Sequence, residues 1–137
     1  HYEKIGLKEL CEQIHGLYKA NDVARLTTEM YLSDMQPAMP PAEAWARMAH
    51  RRIERVDVDQ LEGRVASVLL TPYPPGIPLL IPGERFNSTI VRYLQFARAF
   101  NQQFPGFETD VHGLVAEGSG AQLRYYVDCV ARDAENT

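Results

Sequence analysis

Lysine is almost missing from this chain: Lys4, Lys8 and Lys19 are the only three, all before residue 20. A Schiff-base lysine needs a shielded pocket that lowers its pKa. These three fall mostly on the polar side of a helical pattern, so no cofactor lysine is expected here. Cysteine is nearly as scarce, with Cys11 and Cys129 far apart and in no metal-binding or CxxC spacing. They read as reduced thiols in preference to a structural disulfide. The four histidines, His1, His15, His50 and His112, do not pair at metal-ligand spacing with one another or with a cysteine. Ser33, Ser67, Ser88 and Ser119 have no nucleophile-elbow residues around them. No apolar run approaches the roughly 18 residues of a membrane span. The opening HYEKIGLKEL has no apolar signal region and no initiator methionine. The sequence is therefore expected to begin inside a longer protein, with His1 native or left by a tag.

Excess positive charge is lacking too. The net charge is −4 and the isoelectric point is about 5.5, which argues against nucleic acid, whose binding leans on clustered Lys and Arg. The densest basic group is Arg47, His50, Arg51, Arg52 and Arg55, and Glu54, Asp57, Asp59 and Glu62 answer it. It reads as a solvated helix face ahead of a phosphate or partner site. EGSG, 117 to 120, lies between two strand patterns and lacks the following helix of a phosphate cradle. Asp110 could orient His112, although a turn histidine bonded to backbone is the plainer reading.

With 137 residues, 45% of them hydrophobic, the chain fits one domain, 1–137, able to bury a core. Leu7, Leu10, Cys11, Ile14, Leu17 and Tyr18 recur at the spacing of an amphipathic helix. Val23, Leu26, Met30 and Tyr31 mark a second helix, capped by Asn21 or Asp22. Pro41 predicts the start of a third, with Ala44, Trp45, Met48 and Ala49 inward and an end near Ile53. The period then changes. Val56 and Val58 alternate with Asp57 and Asp59, a half-buried strand. VASVLLT, 65 to 71, reads as a central strand. Asn87 or Ser88 starts a long helix with Ile90, Val91, Leu94, Ala97 and Phe100 on its apolar side. Val111–Val115 reads as a short strand, EGSG as a hairpin turn, and residues 122–131 as the closing strand before a frayed tail. Early helices and late strands favour an α+β fold: N-terminal helices, a small and mainly antiparallel sheet, one long helix between strands and a C-terminal β-hairpin.

The unusual stretch is TPYPPGIPLLIPGERF, 71 to 86, with five prolines and two glycines. Each proline fixes φ, removes a donor and pushes its predecessor toward extended geometry. The result is a stiff ribbon that cannot pair as an inner strand. Tyr73, Ile77, Leu79, Leu80 and Ile81 give it an apolar surface. Two readings stand side by side: a rigid edge that blocks further pairing, and a preformed wall against a neighbouring domain or subunit.

RVASVLLTPYPPGIPLLIPGE, 64 to 84, resembles the signature of the C-terminal domain of bacterial ornithine/lysine/arginine decarboxylases. The matching residues are Pro72, Tyr73, Pro74, Pro75, Gly76, Ile77 and Pro78, then Pro82, Gly83 and Glu84. FPGFETDVHG, 104 to 113, resembles a second block of that family, and VDVDQLEGRVA its usual lead-in. The resemblance implies a parent lyase of the aspartate-aminotransferase fold type. Such an enzyme uses pyridoxal phosphate to turn a basic amino acid into its amine and CO2, in the cytoplasm, for acid resistance or polyamine supply. The family's Ser-x-His-Lys cofactor motif is absent here. Hence no catalytic, cofactor-binding or metal residue is expected in this chain, which alone is expected to be inactive.

What the resemblance assigns to the module is packing on the catalytic domain of the same polypeptide, support for a dimer or higher oligomer, and a border to the active-site entrance. Pro72, Tyr73, Pro74, Pro75, Gly76, Pro78, Pro82 and Gly83 would form that wall. Glu84 and Asp110 are candidates to steer a cationic substrate, against the reading of solvated or turn-capping carboxylates. The TDVHG block leans toward lysine, with arginine and ornithine open. The alternative is a free-standing interaction module on the same fold. An exposed apolar ribbon also predicts a sticky or self-associating face.

Overall fold

The computed structural model describes residues 2–73, 75–107 and 109–134. Its fold is α+β. Helix α1 spans Leu7–Ala20, α2 Val23–Leu32, α3 Pro41–Ala49 and α4 Ser88–Gln103. Strands β1 (Ile53–Asp57), β4 (Leu114–Glu117) and β5 (Arg124–Val130) make an antiparallel sheet in the order β1-β5-β4. Strands β2 (Thr71–Tyr73) and β3 (Asp110–His112) form a separate antiparallel pair. β4 and β5 are the expected closing hairpin, in register from Leu114 against Val127 to Glu117 against Arg124.

The core is built on α4. Ile90, Val91, Leu94, Ala97 and Phe100 are all buried, as their spacing predicts, and Phe104 extends the same side. Asn87 caps this helix by accepting from the Ile90 N–H at 2.9 Å, which satisfies a donor the helix itself cannot. Leu26 and Met30 of α2, Leu70, Leu80 and Phe86 of the central segment, and Tyr125 and Val127 of β5 close over it. Burying one such side chain contributes roughly 1.5–3 kcal/mol.

Several expectations need correction. Only Leu10 of the α1 stripe is buried; Leu7, Cys11 and Tyr18 are exposed. Asn21 closes α1 by donating from its side chain to the Leu17 carbonyl at 2.9 Å, and Asp22 makes no side-chain cap to α2. Helix α3 ends at Ala49 and not near Ile53, because Arg51 adopts a left-handed φ of 57°. No glycine flags that turn. Trp45 and Ala49 face outward, Trp45 at 62% exposure, while Ala44 of the same helix is fully buried against Met39, Val65 and Val130. β1 begins at Ile53, and Val58 lies in the following helical turn.

The run 65–71 is not a regular central strand. It is held on both flanks by isolated bridges, Ala66 to Cys129 on one side, Val65 to Arg85 and Leu70 to Leu80 on the other. Proline supplies the reason: Pro82 brings no donor, so the ladder against 79–86 breaks between Ile81 and Gly83. Gly113 splits the expected 111–115 strand into β3 and β4; with φ +97°, its missing β-carbon would stand 2.4 Å from the Leu69 carbonyl oxygen. The closing strand starts at Arg124, because Gly120–Gln122 form a helical turn. Cys11 is exposed and Cys129 buried, and no disulfide joins them. No helix among the described residues is long and apolar enough to cross a membrane.

Candidate functional site

The proline ribbon folds back on itself and on the segment before it, which take up most of its remaining backbone donors. The Gly76 N–H reaches the Pro72 carbonyl at 2.8 Å, the Leu79 N–H reaches the Leu70 carbonyl at 2.8 Å, and the Ile81 N–H reaches the Glu84 carboxylate at 2.9 Å. The Ile77 carbonyl accepts from the Tyr31 hydroxyl at 3.3 Å. Leu79 and Leu80 point into the core, while Tyr73, Pro75, Gly76, Ile77 and Pro78 stay exposed. Tyr73 stands over Gly76, whose absent β-carbon would meet the tyrosine ring at 3.2 Å, and its ring meets His112 edge-on at 6.4 Å. Of the nine large exposed hydrophobic residues among those described, Tyr73, Ile77 and Ile81 belong to this ribbon and Leu69 lies just before it. The surface is apolar and its backbone donors are largely absent or satisfied, so a partner can cover it without leaving many of them unpaired.

The expected site residues divide between two places. β2 sets Tyr73 directly opposite Asp110 of β3. Asp110 lies 3.2 Å from His112 Nε2, and both side chains are well exposed. The carboxylate thus orients the histidine, and not a turn backbone. Asp110 also rims a mainly apolar cleft of about 400 Å³ between the end of α4 and the β4–β5 hairpin. Its floor holds a network that sequence reasoning missed. Buried Asn101 accepts from the Thr109 N–H at 3.0 Å and donates to the Thr109 carbonyl at 3.2 Å and to the Tyr125 hydroxyl. An asparagine falling in the apolar register of Ile90, Leu94 and Ala97 is the sequence signal that could have found it.

Glu84 is elsewhere. Its carboxylate closes the Pro82-Gly83-Glu84 turn and lines a different cleft, of about 390 Å³, with Pro37, Met39, Pro41, Ile81 and Pro82. Gly83 ties that turn to the chain before α3 by accepting from the Ala38 N–H at 2.8 Å and the Met39 N–H at 3.2 Å. Pro74, and Glu108 of the second signature block, lie outside the described residues.

A further cleft, about 630 Å³ beside Asp57, Asp59, Arg98 and Arg124, carries charges of both signs. Arg98 donates through both terminal nitrogens to Asp59 at 2.9 Å, and those bonds hold the Asp59 carboxyl below its ordinary range. Of the basic group, Arg47 pairs with Glu43 at 2.9 Å and Arg55 with Asp128 at 3.0 Å. Among the described residues no cluster of His, Cys, Asp and Glu could hold a metal. All three lysines are exposed, on α1 and the turn before it. None lies in a cavity that could shield an imine, so these residues do not fit pyridoxal phosphate.

The described family of Orn/Lys/Arg decarboxylase C-terminal domains matches residues 24–131. The chain belongs to that family. It is similar to lysine decarboxylase LdcA of Pseudomonas aeruginosa, 42% identical over 132 residues that make up 94% of this chain and 18% of that protein. It is 34% identical to the constitutive lysine decarboxylase of Escherichia coli over 87% of this chain and 17% of that one. The biodegradative arginine decarboxylase of Escherichia coli is 32% identical over 94% of this chain and 17% of its own length. The solved lysine decarboxylase A from Pseudomonas aeruginosa superposes with a TM-score of 0.86 at 43% identity, over 94% of this chain and 18% of that one. The chain thus spans less than a fifth of the length of these relatives.

Proposed function

We propose that residues 1–137 form one domain, the C-terminal module of a cytoplasmic, pyridoxal-phosphate-dependent decarboxylase that removes CO2 from a basic amino acid. Lysine is the favoured substrate, ahead of arginine and ornithine. The observation that carries this reading is the 42% likeness to a lysine decarboxylase across nearly the whole chain. The cofactor, which supplies the electron sink for decarboxylation, belongs to the rest of the polypeptide, since no lysine here fits it. The module alone decarboxylates nothing.

Its contribution is shape. The ribbon from Pro72 to Gly83 packs on the catalytic domain and borders the active-site entrance, supporting a dimer or larger oligomer. A wall stiffened by proline loses little conformational entropy on docking. Asp110, exposed and directly across from Tyr73, is placed to draw a cationic amino acid toward that border. Glu84 serves the same field less well, because its carboxylate is engaged in its own turn.

The test is an assay of the intact polypeptide that carries the chain, with pyridoxal phosphate, on lysine, arginine and ornithine. The expected result is CO2 and amine from lysine fastest. Release from none of the three would overturn the reading.

A further inference from the structure

Asn101 lies in the last turn of α4, 3% exposed, in the apolar register of Ile90, Leu94 and Ala97. Asparagine is a poor helix former, and a buried amide costs free energy unless it is bonded. Leucine would suit both the helix and the register. The amide therefore serves something outside the helix, and its bonds say what.

Two of them go to one residue. Asn101 Oδ1 accepts from the Thr109 N–H at 3.0 Å, and Nδ2 donates to the Thr109 carbonyl at 3.2 Å. The peptide units on both sides of Thr109 are thus held. The second of these units begins Asp110: the Thr109 carbonyl and the Asp110 N–H share one rigid plane. A third bond, from Nδ2 to the Tyr125 hydroxyl, ties this clasp to β5.

The clasp acts on a small element. β3 is three residues long and is paired with β2, which is three residues long as well. A two-stranded pair of this kind is marginal by itself. Asp110 stands at its end, opposite Tyr73, with a side chain 70% exposed. Such a side chain takes its direction from its backbone. We infer that Asn101 is a positioning residue: through Thr109 it fixes the direction from which Asp110 meets an incoming cationic substrate. This rests on the proposed steering role of Asp110, and the test separates the two.

The test uses the intact polypeptide with pyridoxal phosphate and follows lysine decarboxylation at low and high salt. Asn101→Leu, Asp110→Asn and the double variant are compared. Asp110→Asn should raise KM roughly threefold at low salt and leave kcat within about twofold, the difference closing as salt rises. Asn101→Leu should raise KM in the same salt-dependent way. The double variant should be no worse than Asp110→Asn alone, because both changes remove one contribution. Asn101→Ser is the milder change, since one hydroxyl cannot hold both Thr109 groups, and its KM should lie between wild type and Asn101→Leu. Tyr125→Phe keeps both Thr109 bonds, so it should lower the melting temperature and leave KM unchanged.

An unchanged KM in Asp110→Asn would overturn the steering role, and this inference with it. With that rise present, an unchanged KM in Asn101→Leu and Asn101→Ser would overturn the inference alone. So would effects that multiply in the double variant. A rise in KM for Tyr125→Phe equal to that for Asn101→Leu would also overturn it, by making Asn101 a purely structural residue.

Discussion

Gly83 and Met39 meet backbone to backbone: a β-carbon on residue 83 would stand 2.2 Å from the Met39 carbonyl oxygen, and φ at Gly83 is +95°. No L side chain fits that approach without moving the chain on one side or the other. The contact joins the end of the proline ribbon to the entry of α3, so the signature glycine is a joint between two parts of the fold.

Gly83→Ala should therefore lower stability by about 3 kcal/mol, from left-handed strain plus the displaced loop. In a thermal melt this corresponds to a fall of roughly 10 °C. Gly16→Ala is the contrasting variant. Gly16 lies inside α1 with nothing within 4 Å of the added carbon, and alanine should stabilise there by about 0.5–1 kcal/mol. A melt that moves the same way for both would contradict the assignment.

Tyr93 should be among the last of the seven tyrosines to ionise. Its pKa in the folded chain is raised from 10.0 to about 12 by burial. The unfolded chain releases this proton first, so the associated stability is fully present below pH 10 and is lost as pH rises toward 12. Phenolate absorbance during an alkaline titration is the measurement. Tyr93→Phe should remove a late-titrating step and flatten the loss of stability above pH 10. A late step of unchanged size in that variant would assign it to another tyrosine.

Asp110 and Glu84 should respond differently to charge reversal in the intact polypeptide. Asp110→Lys is expected to lower kcat/KM a few-fold at low salt, and the difference should shrink as salt screens the field. Glu84→Lys removes the acceptor of the Ile81 N–H and should instead lower the melting temperature, with little change in salt dependence. An unchanged kcat/KM and salt slope for Asp110→Lys would end the steering idea.

The helical half of the fold and its α+β class were legible because buried α4 positions recur with the helical period and Pro41 marks the start of α3. What stayed hidden was set by tertiary contacts. Trp45 sits within the α3 pattern, yet the helix buries Ala44 and turns Trp45 outward. VASVLLT reads as an inner strand because its residues are apolar and β-branched, but its partner segment carries Pro82, and a missing donor across the ladder leaves no local trace. The ribbon was legible from composition. Its pairing with Asp110, and the meeting of Tyr18, Tyr31 and Tyr93, depend on chain crossings that no spacing reveals.

The central claim is that the ribbon's exposed face exists to be covered by the catalytic part of the same polypeptide. Tyr73 and Ile77, 62% and 55% exposed, carry that face while leaving the core behind it intact. The most direct measurement is kcat/KM for lysine, with the rate of limited proteolysis, for the intact polypeptide carrying Tyr73→Asp and Ile77→Asp together. Buried charges without partners should loosen the docked module. The account predicts a fall in kcat/KM of at least roughly tenfold and faster cleavage between module and catalytic domain. Unchanged activity and unchanged cleavage in a normally folded double variant would contradict it.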